Sequence, residues 1–390
     1  MAEKYLLKPD TSFIKRVKAA GGGDLTKCYQ CATCSAVCQL SPEDSPFPRK
    51  EMLYAGWGLK DKLMADPDIW LCYQCNDCSV RCPRDAKPGD VIAAIRNYAF
   101  EHFAIPSFMG KLVAKPSGLI PLLLIPIIIM TVLMFATTGG EFASLFDGTH
   151  DSVDFKYFLK HDYVDITFVF GNILVFALFA ISLTRFWKGL NSPYDSGTKV
   201  GFIPALISTV IEVLLHRRFR ICDAAGYRNL AHMLLLFGFL AAFISTLWAA
   251  FNMLLLTKVL HLEGFYPPYS LLHPLKILGN LGGIAIIVGL VMVLFQRAKD
   301  PQSTGITTYS MSLFIWMLGI VGISGMMSQF FRMLGMPMVA YPSYFIHMTT
   351  VFFLLWYAPY SQFGHMAYRM IAMIYAESIG RKPKTLKASE

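Results

Sequence analysis

Beyond Gly118 the chain carries apolar runs about as long as a bilayer is thick, and these restrict its fold more than anything else. A hydrocarbon core of about 30 Å takes roughly 20 helical residues to cross. Inside it, every backbone N–H and C=O must be bonded within the protein, which leaves helices or a closed barrel. Six segments have helical length and composition: 119–137, 164–187, 230–256, 276–296, 310–333 and 344–368. The first is rich in Pro and Ile and is the least regular. The 55% hydrophobic content of the chain belongs mostly to this part, since the first 118 residues read as soluble.

The formal charge of +9 suits nucleic acid only where basic runs are interleaved with aromatics, and none is. The positive charges flank the spans instead, as the positive-inside rule expects. The first loop carries Glu141, Asp147, Asp151, Asp154 and Asp162 against Lys156 and Lys160. The next carries Arg185, Lys188, Lys199, Arg217, Arg218, Arg220 and Arg228, and the C-terminal end adds Arg369, Arg381, Lys382, Lys384 and Lys387. This alternation predicts a multi-pass protein of the inner membrane, with its head, the 188–229 loop and both termini in the cytoplasm. Four parts follow: a head over 1–104, a Pro- and Gly-containing linker over 105–118, a helical bundle over 119–370 and a tail over 371–390.

Eight of the nine cysteines fall in the head, in two groups of one pattern. Cys28, Cys31, Cys34 and Cys38 are spaced C-x2-C-x2-C-x3-C; so are Cys72, Cys75, Cys78 and Cys82, with Pro83 following at once. The N-terminal stretch lacks the apolar core of a secretory signal, so reduced, metal-binding cysteines are expected rather than disulfides. Three thiolates at this spacing wrap one face of a cubane cluster, and the fourth comes from the other motif. Cys28, Cys31, Cys34 and Cys82 are thus expected to hold one 4Fe–4S cluster, and Cys72, Cys75, Cys78 and Cys38 the second. Structural zinc draws paired ligands from C-x2-C units and has no use for the third cysteine, repeated twice. Cys222, alone in a basic loop, reads as a small apolar residue.

Ionisable groups inside spans are costly and mark function. His232 opens the third span, while His347 and His365 lie at opposite ends of the last. Their interval of five helical turns puts both imidazoles on one side, about 27 Å apart if the helix is straight. Pro359 between them is expected to kink it. His232 and His365, at matching depth, are expected to hold a b-type haem, and His347 suggests a second. No C-x-x-C-H occurs for covalent haem. Nor is there a Gly-rich nucleotide motif, so a flavin would belong to a partner.

The head, with its insert of Ser45-Pro46-Phe47-Pro48-Arg49 and Gly56-Trp57-Gly58, resembles the C subunit of heterodisulfide reductase. The membrane half, with His347-x11-Pro359-x-Ser361-x3-His365, resembles the gamma subunit of respiratory nitrate reductase. Their fusion is similar to the family of C subunits of quinone-interacting membrane-bound oxidoreductase complexes. The resemblance implies two 4Fe–4S clusters, haem b, menaquinone as substrate and soluble flavin/iron–sulfur partner subunits, with an indirect link to adenylylsulfate reductase. It implies His232 and His365 as ligands of the inner haem. The family's second haem uses a histidine ten residues past the first, where this chain has Ala242; His161, His261 or His273 would have to serve His347. The fold class implied is all-α: a helical ferredoxin-like head on a six-helix transmembrane bundle. His216, Arg217 and Arg228 inside, or His261, Tyr266 and His273 outside, are candidates for a quinone pocket. Rival readings are a heterodisulfide- or sulfite-linked membrane subunit and a redox sensor or anchor without turnover.

Overall fold

The computed structural model describes residues 7–147, 152–191, 199–222, 225–262 and 269–381. Asp151, Tyr266 and the tail lysines Lys382, Lys384 and Lys387 lie outside these residues. The architecture is all-helical, with no strand among the described residues. Among the described residues six helices are long and apolar enough to cross a membrane: Pro116–Thr138, His161–Asn191, Tyr227–Val259, Pro274–Lys299, Tyr309–Met333 and Pro337–Trp356.

Five of them contain or closely match the runs read from composition. The sixth does not. The composition predicts one helix over 344–368, whereas helix Pro337–Trp356 ends early, two 3-10 turns follow at Ala358–Tyr360 and Gln362–Gly364, and a separate helix His365–Ser378 begins. Pro359 has no N–H to give the ladder, and its ring clashes with the preceding turn. Ser361 Oγ then accepts the Phe363 N–H at 3.2 Å, a local bond that competes with helix. Pro359 therefore breaks the segment rather than kinking it. His347 and His365 stand on different helices and share no face.

Small residues let the spans approach. A Cβ on Gly238 would lie 2.8 Å from the Gly282 carbonyl oxygen, and one on Gly282 would lie 2.7 Å from that of Gly238. The third and fourth spans thus touch backbone to backbone, the packing that membrane helices use in place of a hydrophobic drive.

The head is built around helix Pro88–Phe103, which buries Val91, Ile92, Ile95, Ala99, Phe100 and Phe103. Its apolar face meets Phe13 and Trp70 of the head and also Phe186, Leu190, Tyr368 and Ala372 of the membrane half, in one continuous core. Trp70 stacks on Tyr368 with ring centroids 4.9 Å apart and planes 11° apart. The stretch expected as a linker contains a helix of its own, Ser107–Val113. Further ties cross the junction: the Ile306 N–H donates to Asp90 Oδ1 at 3.1 Å, and Arg381 donates to the Ser45 carbonyl at 2.9 Å. The head therefore sits against the bundle as one packed body.

Candidate functional site

Both cysteine motifs fold alike. Gln30 (φ 59°) and Ala32 (68°) in the first, and Gln74 (52°) and Asn76 (65°) in the second, take left-handed conformations at equivalent positions. Such strain in non-glycine residues persists where surrounding structure demands it, and it gathers at functional sites. Here it curls each C-x2-C-x2-C run back on itself. The Gln30 N–H points to Cys28 Sγ at 3.5 Å, the Gln74 N–H to Cys72 Sγ at 3.4 Å and the Ala86 N–H to Cys82 Sγ at 3.4 Å.

Cys38 lines one small cavity together with Cys72, Cys75 and Cys78. Cys34 lies close enough to Cys28 and Cys82 to feel their charge. The last cysteine of each motif thus stands beside cysteines of the other. Cys31 is exposed, its thiol 3.4 Å from Thr33 Oγ1. Burial, and then the neighbouring Cys28, pushes the Cys34 thiol up to about 11; burial and Cys72 push Cys38 up to about 12. These groups stay neutral thiols unless a cation among them displaces their protons, and cysteines gathered in this way are a donor set that fits iron. Cys222 is more than a filler: its buried thiol comes within hydrogen-bonding reach of Cys75. Nothing in its local sequence signals that contact, which is made across the junction.

The histidines can be assigned by following their protons. His216 ends helix Phe202–Leu215 in a left-handed conformation, φ 52°. Its Nδ1 is 3.4 Å from the Leu214 carbonyl and must donate there, which leaves Nε2 to accept. That Nε2 is 2.9 Å from His232 Nδ1, so His232 donates from Nδ1 and keeps its Nε2 lone pair. His365 likewise gives its Nδ1 proton to the Gln362 carbonyl, leaving Nε2 as a lone-pair donor. His232 and His365 line one cavity of about 240 Å³, with Arg228, Arg297 and Arg369 in its wall. Two imidazoles with free Nε2 atoms, with guanidiniums in the same wall that can meet carboxylates, are the donor set that a b-type haem would use. Sequence offers His216 only as a possible quinone contact; the left-handed turn that brings it to His232 has no signature there.

Arg369 lies one turn beyond His365. Its Nη2 donates to the Cys72 carbonyl at 2.7 Å, and its guanidinium lies over the Tyr73 ring, 4.3 Å from the centroid. From the third span Arg228 donates to the Gln74 carbonyl at 2.9 Å. The imidazole cavity and the second cysteine loop are thus held together.

His347 is elsewhere. Its Nδ1 bonds the Val321 carbonyl at 3.0 Å, and its ring fills the space that Gly325 leaves, 2.8 Å from where a Cβ would be. Ala242, where the resemblance implies a histidine, packs beside Gly282, whose Cβ would meet the Ala242 nitrogen at 2.9 Å. His273 instead caps the fourth span, accepting the Leu275 N–H at 3.3 Å.

Comparison with known proteins gives one family match in the head and another over the membrane half. Residues 24–86 match the model of the 4Fe–4S dicluster domain. The head is 38% identical over 110 residues to the C subunit of the H(2):CoB-CoM heterodisulfide,ferredoxin reductase of Methanothermobacter marburgensis, covering 26% of this chain and 59% of that protein. It is 37% identical over 107 residues to an iron–sulfur C subunit of the CoB--CoM heterodisulfide reductase of Methanocaldococcus jannaschii, covering 25% and 57%. The chain therefore spans less than two thirds of these relatives. Over 303 residues, 73% of each chain, it is 23% identical to citrate utilization protein B of Escherichia coli. No solved structure matches. The head is an iron–sulfur electron-transfer module like those of heterodisulfide reductases, on a membrane-spanning bundle. The citrate utilization protein B model matches residues 117–385, more than half of the chain, and the chain belongs to that family.

Proposed function

We propose that this chain is the membrane arm of a quinone-dependent oxidoreductase, passing electrons between menaquinol in the bilayer and soluble flavin/iron–sulfur subunits docked on its head. One observation carries the reading: the cavity shared by His232 and His365 is tied to the loop of Cys72 and Gln74 by two arginines of its own wall, Arg369 and Arg228. When bound, a haem b and two 4Fe–4S clusters each take and give one electron at a time. The residues hold and orient them. Cys72, Cys75, Cys78 and Cys38 would ligate one cluster, and Cys28, Cys31, Cys34 and Cys82 the other. His216 fixes the tautomer and ring plane of His232, as hydrogen-bond acceptors behind metal-bound histidines do. Gln362 does the same for His365. Trp70 and Tyr368 pack the junction and keep water from it. The likeness of the head to heterodisulfide reductase subunits supports both the clusters and a multi-subunit assembly.

The charge alternation supports a cytoplasmic head. In one version of the reading the soluble partners deliver electrons toward adenylylsulfate reductase. The family match favours a second, in which they serve a route like that of citrate utilization protein B.

Haem content per purified chain tests the proposal, together with haem reduction by a menaquinol analogue in membranes. One haem is expected, lost in His232→Ala and His365→Ala and retained in His347→Ala. A haem that stays oxidised under the analogue while the intact complex turns over would sink the electron-conduit reading. Co-purification identifies the partners.

A further inference from the structure

A cavity of about 440 Å³ opens where the head meets the bundle. We propose that it receives the ring of a quinone, an inference that rests on the quinol-linked reading above. Its place is the first reason. Ala114 and Pro116, at the start of the first span, and Tyr309, at the start of the fifth, stand in its wall, so it lies at the level where the bilayer begins. A lipophilic molecule can enter there with its tail still among the spans.

Its chemistry is the second reason. Ala20, Phe100 and Ala114 give apolar surface. The charged groups in the wall, Arg16 and Glu101, are in contact with each other and offer no net charge. A phospholipid headgroup or a free anion would want an unpaired cation; an uncharged ring would not. The remaining polar groups are neutral. Asn97 Oδ1 accepts from Gln362 Nε2 at 2.6 Å and from Ser310 Oγ at 3.3 Å. The Tyr309 hydroxyl is buried and has no hydrogen-bond partner among the described residues. A buried donor without a partner is costly, and a ligand carbonyl relieves the cost. The Tyr309 O–H would donate to one quinone carbonyl, with the Asn97 and Gln362 amides at hand for the other.

Connection is the third. Gln362 puts its side chain in this wall while its own carbonyl accepts the Nδ1 proton of His365. The cavity and the imidazole site therefore share a residue, and a bound ring lies next to the place where its electrons are wanted.

The test uses membranes holding the full chain in its complex and the fluorescent quinol analogue 2-heptyl-4-hydroxyquinoline N-oxide, whose fluorescence is quenched on binding. Tyr309→Phe removes one hydrogen bond and is expected to weaken binding about tenfold. Ala114→Trp, at an exposed position on the rim, is expected to abolish it. Haem absorbance and cluster paramagnetic signals at wild-type levels show that both variants are folded. Wild-type affinity in Tyr309→Phe and Ala114→Trp overturns the site while leaving the quinol reading standing. Absence of binding to the wild type overturns both.

Discussion

His216 shows how much one residue can set. A histidine at the end of helix Phe202–Leu215 accepts the strain of a left-handed backbone, and its ring thereby reaches His232 at 2.9 Å. If His232 binds iron through Nε2, His216→Leu keeps that ligand but removes the acceptor for its Nδ1 proton. The imidazole then becomes a weaker electron donor and is free to rotate. Haem is expected to be retained, with its reduction potential raised and its low-spin g values shifted, as read by a redox titration followed spectroscopically. A spectrum and potential identical to wild type would reduce His216 to a packing residue. None of this was legible in the sequence, because the contact is made by a turn and a neighbouring helix. The eight head cysteines were legible for the opposite reason: their spacing is local, and the left-handed residues between them only complete what the spacing requires.

At the scale of elements, the spans were readable because twenty apolar residues in a row carry their own meaning. The break at 357–364 was not. Tyr357, Ala358, Tyr360 and Phe363 keep the composition apolar straight through it, and prolines within spans are often tolerated. Pro126 and Pro342 both lie inside helices here, whereas Pro359 ends one. A second element hidden from the sequence is the carboxylate group of the head. Lys50 Nζ lies 2.6 Å from Asp66, 2.7 Å from Asp68 and 3.4 Å from Glu51, and Arg381 reaches Asp68 from the far end of the chain. Glu51 is fully buried, and neither of its oxygens has a hydrogen-bond partner among the described residues. Burial raises its carboxyl well above the ordinary range, and burial with Asp66 pushes Asp68 up to about 6. Both raised groups hold protons in the folded state that the unfolded chain has released. Stability from this cluster is therefore present below about pH 4; the share of Asp68 is lost as pH rises through about 6, and Glu51 adds a loss in the same direction. Glu51→Gln keeps the shape without the charge. It is expected to raise the midpoint for thermal loss of cluster absorbance at pH 7 and to flatten its pH dependence; a lower midpoint would show that the ionised carboxylate is needed.

For the whole molecule, the division into a head and a bundle was visible in composition, but their union was not. The sequence suggests two bodies joined by a linker, whereas Trp70, Phe100, Phe186 and Tyr368 make one core from both. Trp70→Ala removes the largest side chain from that core, a loss of about 3–5 kcal/mol for a buried aromatic. Since the junction carries the damage, the head is expected to loosen from the bundle before it unfolds. Limited proteolysis would then cut within 105–118 and release a soluble, cluster-containing fragment, which the wild type resists.

The Arg381 contact has a bearing on how the protein is made. Synthesis runs from the head toward the C-terminus, so Cys222 arrives after two spans have been made, and Arg369 and Arg381 after all six. Until Arg381 emerges, Asp68 has one cation near it in place of two. Until Cys222 and Arg369 have been placed, the loop around Cys72 and Cys75 lacks its covering. A nascent head is therefore open around its second cysteine loop, and that side is covered only once the last helix is in place.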